Sequence, residues 1–109
     1  MNDKFILVDK KVIEEPDLYV WGRWMEQRDA RRVARTELEN GVVISTVFLG
    51  LDHNFGEGPP LLFETMVFLS NSNGGEDYME RYETYAQAEA GHEKAVKKYV
   101  DKISEDESV

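Results

Sequence analysis

Two segments of this chain are apolar on both faces of an extended strand, and that restricts its fold more than any other feature. In residues 42–49, Val42, Ile44 and Phe48 fall on one face while Val43, Val47 and Leu49 fall on the other. Residues 61–69 repeat the pattern, with Leu62, Met66 and Phe68 opposite Leu61, Phe63 and Val67. Such strands must be covered on both sides. A chain of 109 residues has room for one domain and one modest core. The expected cover is therefore two helices, or one helix and a partner subunit.

The rest of the chain offers both helices and further strands. Residues 5–8 and 11–13 read as short strands, ended by Glu14-Glu15-Pro16 because proline fixes φ and lacks a donor. Asp17 is placed to cap a helix through about residue 27, in which Leu18, Trp21, Trp24 and Met25 form one apolar stripe. Gly22 costs that helix about 1 kcal/mol relative to alanine, which leaves a strand as the alternative over residues 18–27. Residues 32–38 and 42–49 read as a hairpin around Asn40-Gly41, since Asn-Gly supplies the positive φ that tight turns demand. A turn at Ser70-Asn71-Ser72-Asn73-Gly74-Gly75 precedes a fourth strand over 78–83. Thr84 and Gln87 form a capping box for a long helix over 85–103, with Tyr85, Ala88, His92, Val96, Tyr99 and Ile103 on its inward stripe. Residues 104–109 are acidic and expected to fray. The expected fold is α+β, one domain over 1–109. An antiparallel sheet of about four strands carries a C-terminal amphipathic helix and a shorter N-terminal helix.

Composition excludes several function classes. No cysteine is present, which removes disulfides, thiolate metal sites and a cysteine nucleophile and fits a reducing, cytoplasmic setting. No apolar run is long enough for a signal peptide or a membrane span. The net charge of −9 argues against nucleic acid, because phosphate neutralisation supplies most of that affinity. The bases are uneven, however. Arg23, Arg28, Arg31, Arg32 and Arg35 stand against only Glu26 and Asp29 in residues 23–35, a local +3 that leaves −12 elsewhere. That block either meets an anionic ligand or pairs with the chain's own acids.

The connection 51–60 concentrates Asp52, His53, Asn54 and Glu57, and its two glycines and two prolines give it a defined path between buried strands. Asp52 and His53 offer an acid–base pair, although adjacent residues on a strand point to opposite faces. Glu64 shares a strand face with Leu62, Met66 and Phe68, so its carboxylate needs a partner, with Arg32, Arg35, Arg81, His53 and His92 as candidates. A meeting of His53, Glu64 and His92 would resemble a metal or acid–base site; two histidines without cysteine argue against closed structural zinc. Trp21 and Trp24 either stack on a ligand ring beside Arg23, Arg32 and Arg35 or belong to the core. No phosphate loop, no nucleophile elbow and no H-E-x-x-H pair is present, and no cofactor is expected.

The run from Ser45 to Phe68, STVFLGLDHNFGEGPPLLFETMVF, resembles a family of small uncharacterised phage and prophage proteins. The resemblance continues at Glu80-Arg81-Tyr82 and Ala88-Glu89-Ala90-Gly91-His92, and more loosely at Trp21-Gly22-Arg23-Trp24 and Arg31-Arg32-Val33-Ala34. It covers most of residues 18–100 and departs from the family at the 70–75 turn. It implies a phage accessory protein in the host cytoplasm, with no activity attached. Three functions follow as expectations. The first is non-catalytic binding of a host or anti-phage defence component by a homodimer or higher homo-oligomer. The second is sequestration of a small phosphate-containing ligand such as a nucleotide. The third is a small hydrolase using His53, Asp52 and Glu64.

Overall fold

The computed structural model describes residues 2–70 and 76–107. Strands β1 (Phe5–Val8) and β2 (Lys11–Glu14) pair as an antiparallel hairpin, followed by helices α1 (Leu18–Met25) and α2 (Arg28–Arg31). Then come β3 (Arg32–Glu37), β4 (Val43–Phe48), β5 (Phe63–Phe68) and β6 (Glu76–Tyr82), and finally α3 (Tyr85–Glu107). The last four strands form an antiparallel meander in the order β3-β4-β5-β6. The fold is α+β, with α3 packed across one face of this sheet against all four strands.

Local chemistry explains the element ends. The Asp17 carboxylate accepts the backbone N–H groups of Tyr19 and Val20, and so opens α1. Gly41 takes φ +84° in the β3–β4 turn, where the Asn40 side chain accepts from the Val42 N–H. The Thr84–Gln87 capping box is complete. Thr84 Oγ1 accepts from the Gln87 N–H, and Gln87 Oε1 accepts from the backbone of Glu83 and Thr84. Several boundaries differ from expectation, among them α1 ending at Met25 rather than about residue 27 and β5 beginning at Phe63 rather than Leu61. A four-residue helix, α2, precedes β3, and β6 begins at Glu76 rather than Tyr78. α3 continues to Glu107, past the expected fraying point at 104, because no glycine or proline stops it. The expected 70–75 turn lies, from residue 71, outside the described residues.

Under α3, the facing pairs Ile44↔Val67, Thr46↔Thr65 and Phe48↔Phe63 of β4 and β5 are fully buried. Phe5, Leu62, Tyr82 and Ala88 surround Phe48 and Phe63 at one end; Val42, Ala95 and Tyr99 surround Ile44 and Val67 at the other. Between these apolar clusters sits the threonine pair, with His92 above it. Gly91 lets α3 approach the sheet here, because a Cβ at that position would lie 2.1 Å from the Tyr82 hydroxyl.

The stripe expected on α1 is only partly right. Leu18 is 61% exposed, and α1 has no fully buried residue. The helix packs on β1 at the end of the sheet rather than over a face, so only its last turns reach the core. Trp21 donates its indole N–H to the Gly50 carbonyl at 3.0 Å, and the Trp24 ring meets Phe48 edge-on at 5.5 Å. Gly50, at φ +77°, leaves room for Met25, whose Sδ would be 2.4 Å from a Cβ there. No helix of the described residues is long and apolar enough to cross a membrane.

Candidate functional site

The loop that concentrates polar residues holds itself together with them. Asp52 Oδ1 accepts the backbone N–H groups of Asn54 at 2.7 Å and Leu61 at 3.0 Å, clamping the two ends of the connection. Asn54 donates to the carbonyls of Glu57 and Pro59 and accepts from the Gly56 N–H. His53 shares a hydrogen bond of 2.8 Å between Nδ1 and the Leu51 carbonyl, and its ring tilts against the exposed Phe55. Each of these side chains replaces a hydrogen bond that an irregular backbone would otherwise lack.

Glu64 is 6% exposed and finds its partner in Arg81, directly opposite on β6, with Arg81 Nε 2.9 Å from the carboxylate. Of the five candidates named from sequence, the neighbour across the strand pair is the one that reaches it. Glu64 lies on the sheet face away from α3; His92 lies under α3. The sheet therefore separates them. Among the described residues no three histidine, aspartate or glutamate side chains converge as a metal site would require.

His92 is 5% exposed and has both ring nitrogens engaged, Nδ1 with Thr46 Oγ1 at 2.7 Å and Nε2 with Thr36 Oγ1 at 2.8 Å. Thr46 Oγ1 lies 2.6 Å from Thr65 Oγ1, which extends the network across the sheet. The hydroxyls can rotate to suit either tautomer of a neutral ring. Burial lowers the imidazole pKa from its usual value, against a weaker upward pull from Glu93. The Tyr82 hydroxyl beside this network is buried without a completed hydrogen bond, and burial raises its pKa. At the far end of α3, the Tyr99 hydroxyl donates to Asp77 on β6; burial and that bond push its pKa up to about 12. Tyr78 donates to Glu80, which raises its pKa strongly. Tyr99 thus ties α3 to β6 as a protonated donor, while the Tyr78 bond stays within β6.

Trp21 and Trp24, open from the sequence to either ligand stacking or a place in the core, face inward, as described above. Of the arginine block, Arg23, Arg28, Arg32 and Arg35 are exposed, Arg31 is half-buried with its Nε buried, and Arg35 lies 3.5 Å from Glu37.

A concave site forms elsewhere. A cavity of about 390 Å³ opens between the β1–β2 turn, the end of the 52–60 loop and the start of α3. Phe5, Val12, Pro60, Leu62 and Tyr85 give it apolar walls; Lys10, Lys11, Glu83 and Thr84 supply its polar groups. The turn that presents the lysines is unusual. Asp9 and Lys10 both have positive φ, +50° and +68°, where a two-residue hairpin turn favours Asn-Gly. A lysine in that region costs about 1 kcal/mol, and unfavoured backbone of this kind clusters at functional sites. The Lys10 ammonium lies 5.5 Å from the centre of the Tyr85 ring, and among the described residues neither lysine has a carboxylate within ion-pair distance. Tyr85 is held edge-on against Phe63 at 5.8 Å. Pro60 is fixed through Leu61, whose N–H the Asp52 clamp binds.

Sequence reading did not reach this site. The one available signal was the two-residue gap between the strands at 5–8 and 11–13, which is the length of a tight hairpin loop. Searches of protein-family models, curated proteins and solved structures found no match to this chain.

Proposed function

We propose that this chain is a non-catalytic binding protein that captures a small organic anion with an apolar, aromatic body. The observation that carries this reading is the cavity between the β1–β2 turn and α3, with its apolar walls and two lysines. Its volume of about 390 Å³ falls in the range of small-molecule sites, which are mostly apolar with a few orienting polar groups. Two ammonium groups favour a carboxylate, sulfonate or phosphate head. Phe5 and Tyr85 offer aromatic surface to a flat body. Glu83 reduces the formal charge of the lining to +1, which suits a monoanion.

Binding rather than turnover is supported by the other occupations of the candidate catalytic groups. Asp52 holds backbone N–H groups, His53 a backbone carbonyl, and Glu64 an arginine. Capture of a phosphate-containing ligand thus finds better support at Lys10 and Lys11 than at the tryptophans and arginines. Binding of a host or defence component, the first expectation from the sequence, belongs to the same non-catalytic class.

Calorimetric titration with naphthalene-2-sulfonate, beside the neutral 2-naphthol, tests the reading. The sulfonate should bind at one site per chain and more tightly than the naphthol. The Lys10→Met/Lys11→Met variant should bind it about tenfold more weakly, the equivalent of about 1.4 kcal/mol, with an unchanged melting temperature. No binding at millimolar sulfonate, equal binding of both probes, or indifference to the lysines would refute it.

A further inference from the structure

The 52–60 loop holds an aromatic ring out into solvent. Phe55 is 87% exposed, on a segment whose path is fixed by its own side chains. Asp52 clamps the two ends, and the Asn54 side chain bonds to Gly56, Glu57 and Pro59. A ring on so ordered a loop loses little freedom when it enters a site, and such preorganisation favours association. Glu57 follows two residues later and is also exposed. The tip thus offers a phenyl ring and a carboxylate. The cavity at the β1–β2 turn offers the complement, with apolar walls from Phe5, Val12, Leu62 and Tyr85 and the ammonium groups of Lys10 and Lys11.

We infer that the loop tip of a second copy of the chain occupies this cavity, with Phe55 between the apolar walls and Glu57 at the two lysines. The inference rests on the reading of the cavity as a site for an aromatic anion. Phe55 is in solvent, so it does not fill the cavity of its own chain. The charges match: one carboxylate at the tip meets a lining of formal charge +1. Tip and cavity also belong to one continuous surface, because the loop that carries Phe55 ends at Pro60 in the cavity wall. A twofold axis beside the uncharged Gly58-Pro59-Pro60 segment lets each copy give its tip and receive its mate's, so the contact closes on itself. Two loop tips in two cavity mouths make a small interface, and the dimer is accordingly weak and reversible. A small anion and the mate's tip compete for the same space, so free ligand draws the chain toward monomer. The dimer is the closed form of the binding site, and the ligand opens it.

Sedimentation equilibrium of the full chain, from micromolar to millimolar, tests this. A reversible dimer is expected, and naphthalene-2-sulfonate should shift it to monomer. Phe55→Ala should weaken the dimer by about tenfold or more, yet bind the sulfonate at least as tightly as the native chain. Glu57→Lys alone, and Lys10→Glu/Lys11→Glu alone, set like charges together and should each stay monomeric. Mixed one to one, these two variants should dimerise, because each tip then meets a cavity of opposite charge. Circular dichroism checks that each variant folds. A native chain that is monomeric throughout the range overturns the inference; if that monomer binds the sulfonate, the reading of the cavity stands without it. A dimer that Phe55→Ala does not weaken, one that stays intact with the sulfonate bound, or a mixture that stays monomeric overturns it as well.

Discussion

His92 shows how one buried side chain ties protein stability to pH. Its imidazole bridges Thr36 on β3 and Thr46 on β4, and Thr46 continues to Thr65 on β5, so one ring joins three strands to α3. Burial lowers its pKa in the folded state below the usual 6.5. The folded chain therefore binds fewer protons at this site than the unfolded chain once the pH drops below that value. The stability contributed by the neutral ring is full above about 6.5 and is lost as the pH falls through the folded-state pKa. Urea midpoints of the native chain should fall between pH 7 and pH 5 more steeply than those of a His92→Gln variant; parallel slopes would contradict this. The place of His92 on an inward stripe was legible from its helical spacing. Its threonine partners were not, because they come from two different strands. Glu64 was more legible: a carboxylate among Leu62, Met66 and Phe68 had to find a cation, and Arg81 was among the few in reach.

At the scale of elements, segments with strong local signals were readable and those fixed by tertiary packing were not. The capping box of α3, the aspartate cap of α1 and the Asn-Gly turn each satisfy their own backbone, so sequence alone located them. The exposed Leu18 breaks the expected α1 stripe because the helix meets a small hairpin instead of a broad sheet. The β1–β2 turn escaped notice because Asp9-Lys10 lacks the glycine that marks such turns, although its backbone has the positive φ values of one. The 52–60 loop is an element in its own right, and Asp52 is its clamp. Asp52→Ala removes two hydrogen bonds, which should cost about 1–2 kcal/mol of stability. Hydrogen exchange should then quicken at Asn54 and Leu61 while the β3–β4 pairing keeps its protection. Unchanged exchange at those two amides would show that the carboxylate does not hold the loop.

At the scale of the molecule, the need for two covers was legible and the identity of the second was not. α3 packs against all four strands of the sheet, and α1 packs on β1 of the N-terminal hairpin. The polar residues that look chemical in the sequence hold the loop, the strand pair and the helix in place. In doing so they build the wall of a cavity whose lysines have no ion-pair partner among the described residues. Asp52 sets Leu61 and thus Pro60, and the capping box sets Thr84 and Tyr85. The measurement that tests this most directly is a nitrogen–proton correlation spectrum of the labelled chain, titrated with naphthalene-2-sulfonate. The account predicts shifts concentrated at Phe5, Lys10, Lys11, Val12, Leu62, Thr84 and Tyr85. Shifts centred instead on Trp21 to Arg35, or on Asp52 to Asn54, would contradict it and return the binding role to the residues that sequence favoured.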